Sequence, residues 1–228
     1  MTTKLKSLLN NNELTIGSWL SIPSQATAEI MAQAGFPWIV IDLEHSVINY
    51  ETMQSMLIAI ENEGSVPLVR VSSNDPTQIK RVLDSGAHGI IVPMVNNAND
   101  AIKAVKAVKY PPNGNRGVGL ARAQGYGLKF DSYYKSFNDS SIVICQIEHR
   151  DAVDNVEDIV SVDGVDGIII GPYDLSGSYG IPGKLNDKTI IDAEKKIINI
   201  ANKKNVPSGL HLVHYDEKIL KQKINQGF

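Results

Sequence analysis

The runs Ile90-Ile-Val92 and Ile168-Ile-Ile170 are apolar at every position. A strand that is buried on one face alternates apolar and polar residues, whereas a strand covered on both faces is apolar throughout. Further short apolar runs complete a set of predicted strands over residues 15–20, 38–43, 67–71, 89–93, 142–147, 167–170 and 207–212. Strands of this composition are typical of a parallel sheet with helices on both faces.

Amphipathic segments separate the predicted strands and indicate helices. Ser24 is a favourable start for one helix, the pair Asp75-Pro76 opens another, and Gly35 and Gly64 follow helix ends. The helices are predicted over residues 24–34, 50–63, 75–84, 99–108, 150–160, 187–204 and 217–226. Because strands alternate with helices through short connections, we expect right-handed βαβ units and a parallel sheet.

Seven such units predict a (β/α)8 TIM barrel, the closed α/β arrangement nearest in strand number. An eighth strand should begin at Gly227-Phe228, where the chain ends, so the eighth unit is expected to be missing. A doubly wound open sheet is the alternative, and the absence of a G-x-G-x-x-G motif after any early strand disfavours it. No linker or low-complexity stretch interrupts the pattern, which predicts a single domain over residues 1–228.

The composition excludes several classes of partner. The chain has 228 residues, of which 43% are hydrophobic and 21% charged, and its formal net charge of −3 gives no reason to expect nucleic acid. The single cysteine, Cys145, excludes an internal disulfide and favours a reducing compartment. No apolar stretch is long enough to span a bilayer, and the first residues are too polar for a signal peptide. We therefore expect a cytoplasmic protein with no membrane partner.

Polar side chains stand at the ends of four predicted strands. Catalytic residues of parallel barrels lie at the carboxyl ends of the strands, and repeated charge after an apolar run is hard to explain by packing alone. The residues in these positions are Asp42, Glu44 and His45 after the second strand, Arg70 in the third, Gln146 and Glu148 at the end of the fifth, and Asp174 after the sixth.

The carboxylates of Glu148 and Asp174 follow consecutive strands and are candidates for a shared metal site. Ligation by oxygen atoms alone favours Mg²⁺ or Mn²⁺, with Co²⁺ as a further candidate, because hard divalent cations prefer carboxylate and water oxygens. The alternative interpretation is that each carboxylate caps the helix that follows its strand.

His45 is the acid/base candidate, because the ordinary pKa of an imidazole lies close to neutral pH. Asp42, Glu44 or Asp84 are the candidates to orient it. Arg70 is a candidate for stabilising a developing oxyanion, and the alternative is a structural ion pair with a neighbouring carboxylate such as Glu44.

The glycine-rich stretch over residues 116–127 is interpreted as a mobile loop over the site, with Arg122 as a candidate substrate contact. The lysines lie in predicted helices or loops, with Lys184 nearest to a strand end. A Schiff-base mechanism requires a lysine that projects from a strand into the barrel, so we do not expect one here.

Eight stretches along the chain form a specific pattern when they are taken together. They are Gly17-Ser-Trp-Leu20, Ile41-Asp-Leu-Glu-His45, Val69-Arg70, Val92-Pro-Met94, Tyr110-Pro-Pro112, Arg116-Gly-Val-Gly119, Gln146-Ile-Glu148, and Gly164-Val-Asp-Gly167 with Ile170-Gly-Pro-Tyr-Asp-Leu175. In these stretches the chain resembles the HpcH/HpaI aldolase family, the class II metal-dependent pyruvate aldolases of the 4-hydroxy-2-oxoheptanedioate (2,4-dihydroxyhept-2-ene-1,7-dioate) group.

The resemblance implies a phosphoenolpyruvate/pyruvate-type barrel in which Glu148 and Asp174 hold a divalent metal. It implies that pyruvate or its enolate chelates this metal, with Arg70 at the keto oxygen and the backbone N–H groups of Tyr173 and Asp174 at the carboxylate. His45, supported by Asp42 or Asp84, would be the acid/base residue. Two further residues would complete the site, with Gln146 adjacent to the metal ligands and Trp19 lining the pocket.

The implied reaction is the cleavage or formation of 4-hydroxy-2-oxoacids, with pyruvate and an aldehyde as the cleavage products. The resemblance also implies a homo-oligomer, a trimer or a hexamer. The alternatives are a related carbon–carbon lyase of the citrate-lyase-like type and a non-catalytic barrel that binds 2-oxoacids. The chain departs from the family pattern after the seventh strand, where the stretch His211-Leu-Val-His214 stands and the eighth strand and the helix exchanged between subunits are missing.

Overall fold

The computed structural model describes residues 4–228, in which strands and helices alternate along the chain. In chain order the elements are α1 (Lys4–Asn10), β1 (Ser18–Leu20), α2 (Gln25–Gln33), β2 (Trp38–Asp42), α3 (Tyr50–Asn62), β3 (Val66–Arg70), α4 (Pro76–Asp84), β4 (Gly89–Val92), α5 (Ala98–Val108), a 3₁₀ helix (Arg122–Gly127), α6 (Phe130–Ser140), β5 (Ile142–Ile147), α7 (Arg150–Asp154), α8 (Val156–Val160), β6 (Gly167–Ile170), α9 (Pro172–Ser178), α10 (Lys188–Lys203), β7 (Ser208–Leu210) and α11 (Glu217–Asn225).

The chain divides into two compact units. The first unit contains residues 4–92 and 103–143, and the second contains residues 93–102 and 144–228. The single-domain organisation expected from the sequence stays a prediction. Among the helices that the structure describes, none combines the length and the apolar character that a membrane crossing requires.

In the first unit, β1 to β4 pair in parallel and in chain order. The register sets Asp42, the last residue of β2, opposite Arg70, the last residue of β3. The N–H of Ile142 donates to the carbonyl of His88 at 3.2 Å, so β5 begins beside the residue that precedes β4. This register brings the acidic side chain of Asp42 and the basic side chain of Arg70 together at the carboxyl ends of neighbouring strands.

In the second unit, which contains β5 from Ile144 onward, β5, β6 and β7 also pair in parallel. Ile147 lies opposite Ile170, and the N–H of Gly171 donates to the carbonyl of Ile147 at 3.2 Å. Glu148 therefore leaves the sheet beside the residue that opens α9. The hydrogen bonds between the backbones of β5 and β6 thus fix Glu148 next to Gly171.

The strands have the burial that their composition predicts. Ile39, Val40 and Ile41 in β2 are fully buried, and so are the three apolar residues Ile90, Ile91 and Val92 in β4. Because successive side chains of a strand point to opposite faces, complete burial means that both faces are covered. The parallel α/β class predicted from the sequence is confirmed.

Local signals start the helices where they were expected. The hydroxyl of Ser24 accepts a hydrogen bond from the N–H of Thr27, and the carboxylate of Asp75 accepts from Thr77 and Gln78. A side-chain cap of this kind stabilises a helix by about 1 kcal/mol, because it satisfies a backbone donor that has no partner within the helix. Both predicted helix starts are therefore confirmed.

The structure corrects the sequence-based boundaries in several places. The first strand begins at Ser18 rather than at residue 15, and the helix expected over residues 150–160 is divided into α7 and α8 at Asn155. The sequence patterns missed α1, the 3₁₀ helix, α6 and α9. Within residues 4–228 no strand follows β7, and the helix predicted over residues 217–226 is present as α11.

Candidate functional site

Arg70 and Asp42 form a buried ion pair in the first unit. The guanidinium Nε lies 2.9 Å from Oδ1 of Asp42, and Nη2 lies 2.7 Å from Oδ2. Nη1 is 3.2 Å from Oε2 of Glu44. Burial opposes ionisation of Asp42, but the hydrogen bonds and the charge of Arg70 outweigh it and hold the pKa of Asp42 below its ordinary value. The structural pairing considered for Arg70 is therefore present, and it includes Asp42 as well as Glu44.

Trp19 lies beside the Arg70 side chain. The guanidinium carbon is 4.8 Å from the centroid of the indole ring, within the distance at which a cation is attracted to an aromatic face. Trp19 stands opposite Val40 in the register of β1 and β2, which sets it one strand away from the ion pair. The ring therefore packs against the Arg70 guanidinium.

His45 extends from the turn that follows β2, and its side chain is 63% exposed. Its backbone N–H and that of Glu44 donate to Oδ1 of Asp42, at 3.3 and 3.0 Å. Its ring Nε2 is 3.9 Å from Oε2 of Glu44. Asp42 therefore orders the backbone of the turn, and of the three carboxylates considered as orienting groups, Glu44 is the one in contact with the imidazole.

Asp84 belongs to a different cluster of the first unit. Its Oδ1 accepts from Nη2 of Arg116 at 2.6 Å and from Nε2 of Gln124 at 3.3 Å. It lines a cavity of about 390 Å³ whose other wall residues are Tyr50, Glu51, Gln54, Arg81, Ser85 and Ala121. The carboxylate is therefore held by Arg116 and Gln124, and its expected role in supporting His45 stays a prediction.

Glu148 is a buried carboxylate of the second unit, with 2% of its surface exposed. Its Oε1 accepts from the backbone N–H of Met94 at 2.8 Å, and its Oε2 accepts from the side-chain amide of Gln146. A Cβ atom at Gly171 would lie 2.7 Å from Oε2, so the carboxylate rests directly against a glycine. Three neighbours thus define the orientation of this carboxylate.

Asp174 lies in the first turn of α9, three residues after Gly171, and is exposed. Tyr173 precedes it and is also exposed. Pro172 occupies the first position of the helix, where the missing N–H costs nothing. The N–H groups of Tyr173 and Asp174 belong to the first turn, whose donors have no partners within a helix.

The donor set suits a hard divalent cation. It consists of one buried carboxylate, held by two N–H donors, and one exposed carboxylate that follows the adjacent strand. Two carboxylates completed by water or substrate oxygens are a common arrangement for Mg²⁺. No group of three or more His, Cys, Asp and Glu side chains forms a metal site within residues 4–228, and a site with two carboxylates leaves coordination positions for other oxygen ligands.

Part of the glycine-rich stretch that was interpreted as a mobile loop has helical structure, and its mobility stays a prediction. Residues Arg122–Gly127 form a 3₁₀ helix. The Arg116 side chain is fully buried, 4.5 Å from the ring centroid of Phe137 and 4.6 Å from that of Tyr110. Its role in the structure is therefore to anchor this stretch.

Arg122 contacts the protein at both ends of its guanidinium. It pairs with Glu61 and donates from Nη1 to the carbonyl of Ser85 at 3.1 Å. The hydrogen bond from His88, with a further contribution from Arg122, outweighs burial and lowers the pKa of Glu61 to about 2. The predicted contact of Arg122 with substrate stays a prediction.

The structure thus brings most of the predicted residues together in two sets and leaves Asp84 and Arg122 outside them. Asp42, Glu44, His45, Arg70 and Trp19 form the first-unit set. Gln146 contacts Glu148 in the second unit, and Asp174 follows the neighbouring strand. Asp84 lies in its own cluster. The contacts of Met94 and Gly171 with Glu148 were missed, although both residues belong to quoted motif stretches.

Comparison with known proteins identifies the class to which this arrangement belongs. Residues 15–228 match the model of the HpcH/HpaI aldolase/citrate lyase family. The chain belongs to that family, and the resemblance inferred from the sequence is confirmed.

One curated relative and three solved structures describe the similarity. A 4-hydroxy-2-oxo-heptane-1,7-dioate aldolase of Escherichia coli is 42% identical over 210 residues, covering 91% of this chain and 80% of the relative. A crystal structure of an HpcH/HpaI aldolase/citrate lyase family protein from Burkholderia cenocepacia has a TM-score of 0.95 at 33% identity, covering 100% of this chain and 90% of that one.

A crystal structure of the citrate synthase SbnG has a TM-score of 0.85 at 33% identity, covering 97% of this chain and 86% of that one. A citrate lyase beta subunit from M. tuberculosis, complexed with oxaloacetate and magnesium, has a TM-score of 0.60 at 14% identity, covering 95% and 86% of the two chains. At that identity the similarity concerns the fold alone.

Proposed function

We propose that the chain is a metal-dependent class II aldolase that cleaves or forms 4-hydroxy-2-oxoacids, with pyruvate and an aldehyde as the cleavage products. The observation that carries the proposal is the orientation of Glu148, a buried carboxylate at the end of β5 with an N–H donor on each oxygen. Hydrogen bonds to a ligating carboxylate are the usual means by which proteins orient it toward a cation. The family and the names of its members supply the class of reaction.

Glu148 and Asp174 would hold the cation, and Mg²⁺ or Mn²⁺ suits their oxygen atoms, with Co²⁺ as a further candidate. A divalent cation bound there would supply Lewis-acid polarisation of a keto oxygen. Gln146 supports the site by donating to Oε2 of Glu148. The N–H groups of Tyr173 and Asp174 would receive the carboxylate of the 2-oxoacid.

Arg70 supplies a permanent positive charge next to the keto oxygen of the substrate, on which negative charge develops during the reaction. Its contacts with Asp42 and Glu44 fix the guanidinium, so little reorganisation is needed when the charge forms. Trp19 packs against the same guanidinium and would line the substrate pocket. These residues act by binding and orienting the substrate.

His45 is assigned to move the proton of the C4 hydroxyl, through water or directly. The imidazole is exposed and lies next to Glu44, so it can exchange protons with solvent. Asp42 contributes by ordering the backbone of the His45 turn. As part of the same proposal, Asp84 is assigned to support His45 and Arg122 to contact the substrate.

Two architectural features belong to the proposal as well. We infer a (β/α)8 barrel of the phosphoenolpyruvate/pyruvate type, because all seven strands are parallel neighbours of strands adjacent in sequence within each unit. Assembly into a homo-oligomer, a trimer or a hexamer, is the second feature, and it rests on family membership.

The test is an assay of retro-aldol cleavage of a 4-hydroxy-2-oxoacid, in which the rate is measured from the pyruvate released. We expect activity that EDTA abolishes and that added Mn²⁺ or Mg²⁺ restores. Glu148→Gln should lower kcat/KM by about 100-fold or more, because it removes the buried anionic ligand. Glu157→Gln, at an exposed carboxylate of α8, is the matched control and should retain full activity. Undiminished turnover in the presence of the chelator would refute the metal mechanism.

A citrate-lyase-like reaction is the second candidate, because a solved citrate synthase shares the fold at 33% identity. Cleavage of citrate or a citryl thioester, with no turnover of any 4-hydroxy-2-oxoacid, would select it. Binding of pyruvate or oxalate without turnover of either substrate class would select a non-catalytic 2-oxoacid-binding protein instead. The three outcomes are distinguishable in one panel of substrates.

A further inference from the structure

Met94 has a backbone conformation that is unusual for a residue with a side chain. Its φ is 53°, in the left-handed region, which a Cβ atom disfavours. This conformation lets its N–H donate to Oε1 of Glu148 at 2.8 Å, and Met94 belongs to the same unit as Glu148. Strained backbone of this kind persists where the surrounding structure requires it, commonly at functional sites.

Gly171 approaches the same carboxylate from the other side. A Cβ atom there would lie 2.7 Å from Oε2 of Glu148, 3.1 Å from Glu148 Cβ and 3.1 Å from Nε2 of Gln146. Its φ of −95° and ψ of 92° are open to any residue. The requirement for glycine at this position is therefore one of space, and the space is occupied by the Glu148 carboxylate and its amide partner.

We propose that Gly171 and Met94 are positioning residues for Glu148, and that together they set the orientation of the metal-ligating carboxylate. Met94 holds Oε1 through its backbone N–H, and Gly171 leaves room for Oε2 and the Gln146 amide to lie against its Cα. The inference rests on the proposed function, because it assigns Glu148 to the metal. It predicts that metal affinity depends on two residues whose side chains supply no ligand.

The first experiment compares Gly171→Ala with Gly177→Ala in metal-free protein. Mn²⁺ is titrated into each, and the free ion is followed by its electron paramagnetic resonance signal. Gly171→Ala should raise the Kd for Mn²⁺ by about 10- to 100-fold, the usual cost of disturbing a group that orients a ligand. Gly177 lies in α9 with no atom within 4 Å of an added Cβ, so Gly177→Ala should leave the Kd within twofold of wild type.

The second experiment uses a pair of substitutions at Met94. Met94→Gly keeps the N–H and tolerates a positive φ, so we expect unchanged Mn²⁺ affinity. Met94→Val keeps an apolar side chain but disfavours the left-handed conformation, because β-branched residues adopt it rarely. It should weaken Mn²⁺ binding by about tenfold. This pair tests the proposal even if Gly171→Ala does not fold.

A third variant separates this inference from the proposed function. Glu148→Gln should abolish Mn²⁺ binding, and wild-type affinity in that variant would refute the metal site itself. If Glu148→Gln loses Mn²⁺ while folded Gly171→Ala binds within twofold of wild type, the positioning role of Gly171 is overturned. Equal affinities in Met94→Gly and Met94→Val would overturn the role of Met94.

Discussion

The guanidinium of Arg70 donates two hydrogen bonds to the carboxylate of Asp42, with Nε 2.9 Å from Oδ1 and Nη2 2.7 Å from Oδ2. The two residues are partners in the register of β2 and β3, so the sheet itself brings them together. Both side chains are less than 10% exposed, and the planar fork of the arginine matches the carboxylate. This pair therefore serves both the stability of the first unit and the orientation of Arg70.

We predict that Asp42→Asn lowers the free energy of unfolding at pH 7 by about 2–4 kcal/mol, because it leaves a buried guanidinium with one charged partner fewer. The loss stays below the upper range for broken buried pairs, because Glu44 remains 3.2 Å from Nη1. Urea unfolding followed by circular dichroism measures it. Asp158→Asn, at an exposed position of α8, is the control and should change stability by less than about 0.5 kcal/mol. If Asp42→Asn also lowered the free energy of unfolding by less than about 0.5 kcal/mol, the prediction would be wrong.

The ion cluster of Glu61, His88 and Arg122 predicts a dependence of stability on pH. The pKa of Glu61 is lowered from an ordinary 4.5 to about 2, first by the hydrogen bond from His88 and then by Arg122. A carboxyl whose pKa is lower in the folded state contributes stability above its ordinary pKa. That contribution is lost as the pH falls from about 4.5 through about 2.

The test is the free energy of unfolding of Glu61→Gln between pH 7 and pH 2. Since the Glu61 side chain is 40% exposed, solvent screens its interactions with His88 and Arg122. We therefore expect Glu61→Gln to lower the free energy of unfolding by about 1 kcal/mol at pH 7. The difference between variant and wild type should shrink as the pH falls below 4.5. Glu63→Gln, at the exposed end of α3, should follow the wild-type curve. A constant difference across this range would refute the role of Glu61 ionisation.

Asp42, Arg70 and Glu148 can be located from the sequence, because each ends or directly follows an apolar run of strand length. Their partners cannot be located in this way. Asp42 was considered as support for the His45 ring, yet its carboxylate contacts Arg70 because the strand register sets the two opposite each other. Register between separate strands depends on the whole sheet, and no local pattern specifies it.

Unusual backbone conformations and burial by residues distant in sequence also limit what can be predicted about the site from the sequence. The positive φ of Met94 is unexpected for its residue type, so composition does not reveal its contact with Glu148. Arg116 lies in a glycine-rich stretch that is typical of an exposed loop. It is buried because Tyr110 and Phe137 surround it, and α6, which carries Phe137, was missed from the sequence.

We predict that Arg116→Lys lowers the free energy of unfolding by about 2–4 kcal/mol, because a lysine can neither stack flat on aromatic rings nor donate a planar fork. The guanidinium donates to Asp84 at 2.6 Å and to the hydroxyl of Tyr133 at 3.2 Å, and its side chain is fully buried. Thermal unfolding measures the loss. Arg150→Lys, at a side chain that is 62% exposed, is the control. Equal melting temperatures in the two variants would show that Arg116 does not anchor the stretch.

The single cysteine provides the last prediction. Cys145 lies within β5, is completely buried, and its pKa is raised to about 12 by that burial. Because the thiolate is the reactive form, we expect negligible reaction with a thiol reagent such as dithionitrobenzoate in the native protein at pH 8. The thiol should react fully in urea, at a rate that follows unfolding of the strand. In moderate urea, Cys145 should react faster in destabilised variants such as Asp42→Asn than in the wild type. Rapid reaction of Cys145 in the native wild-type protein would contradict its burial in the core.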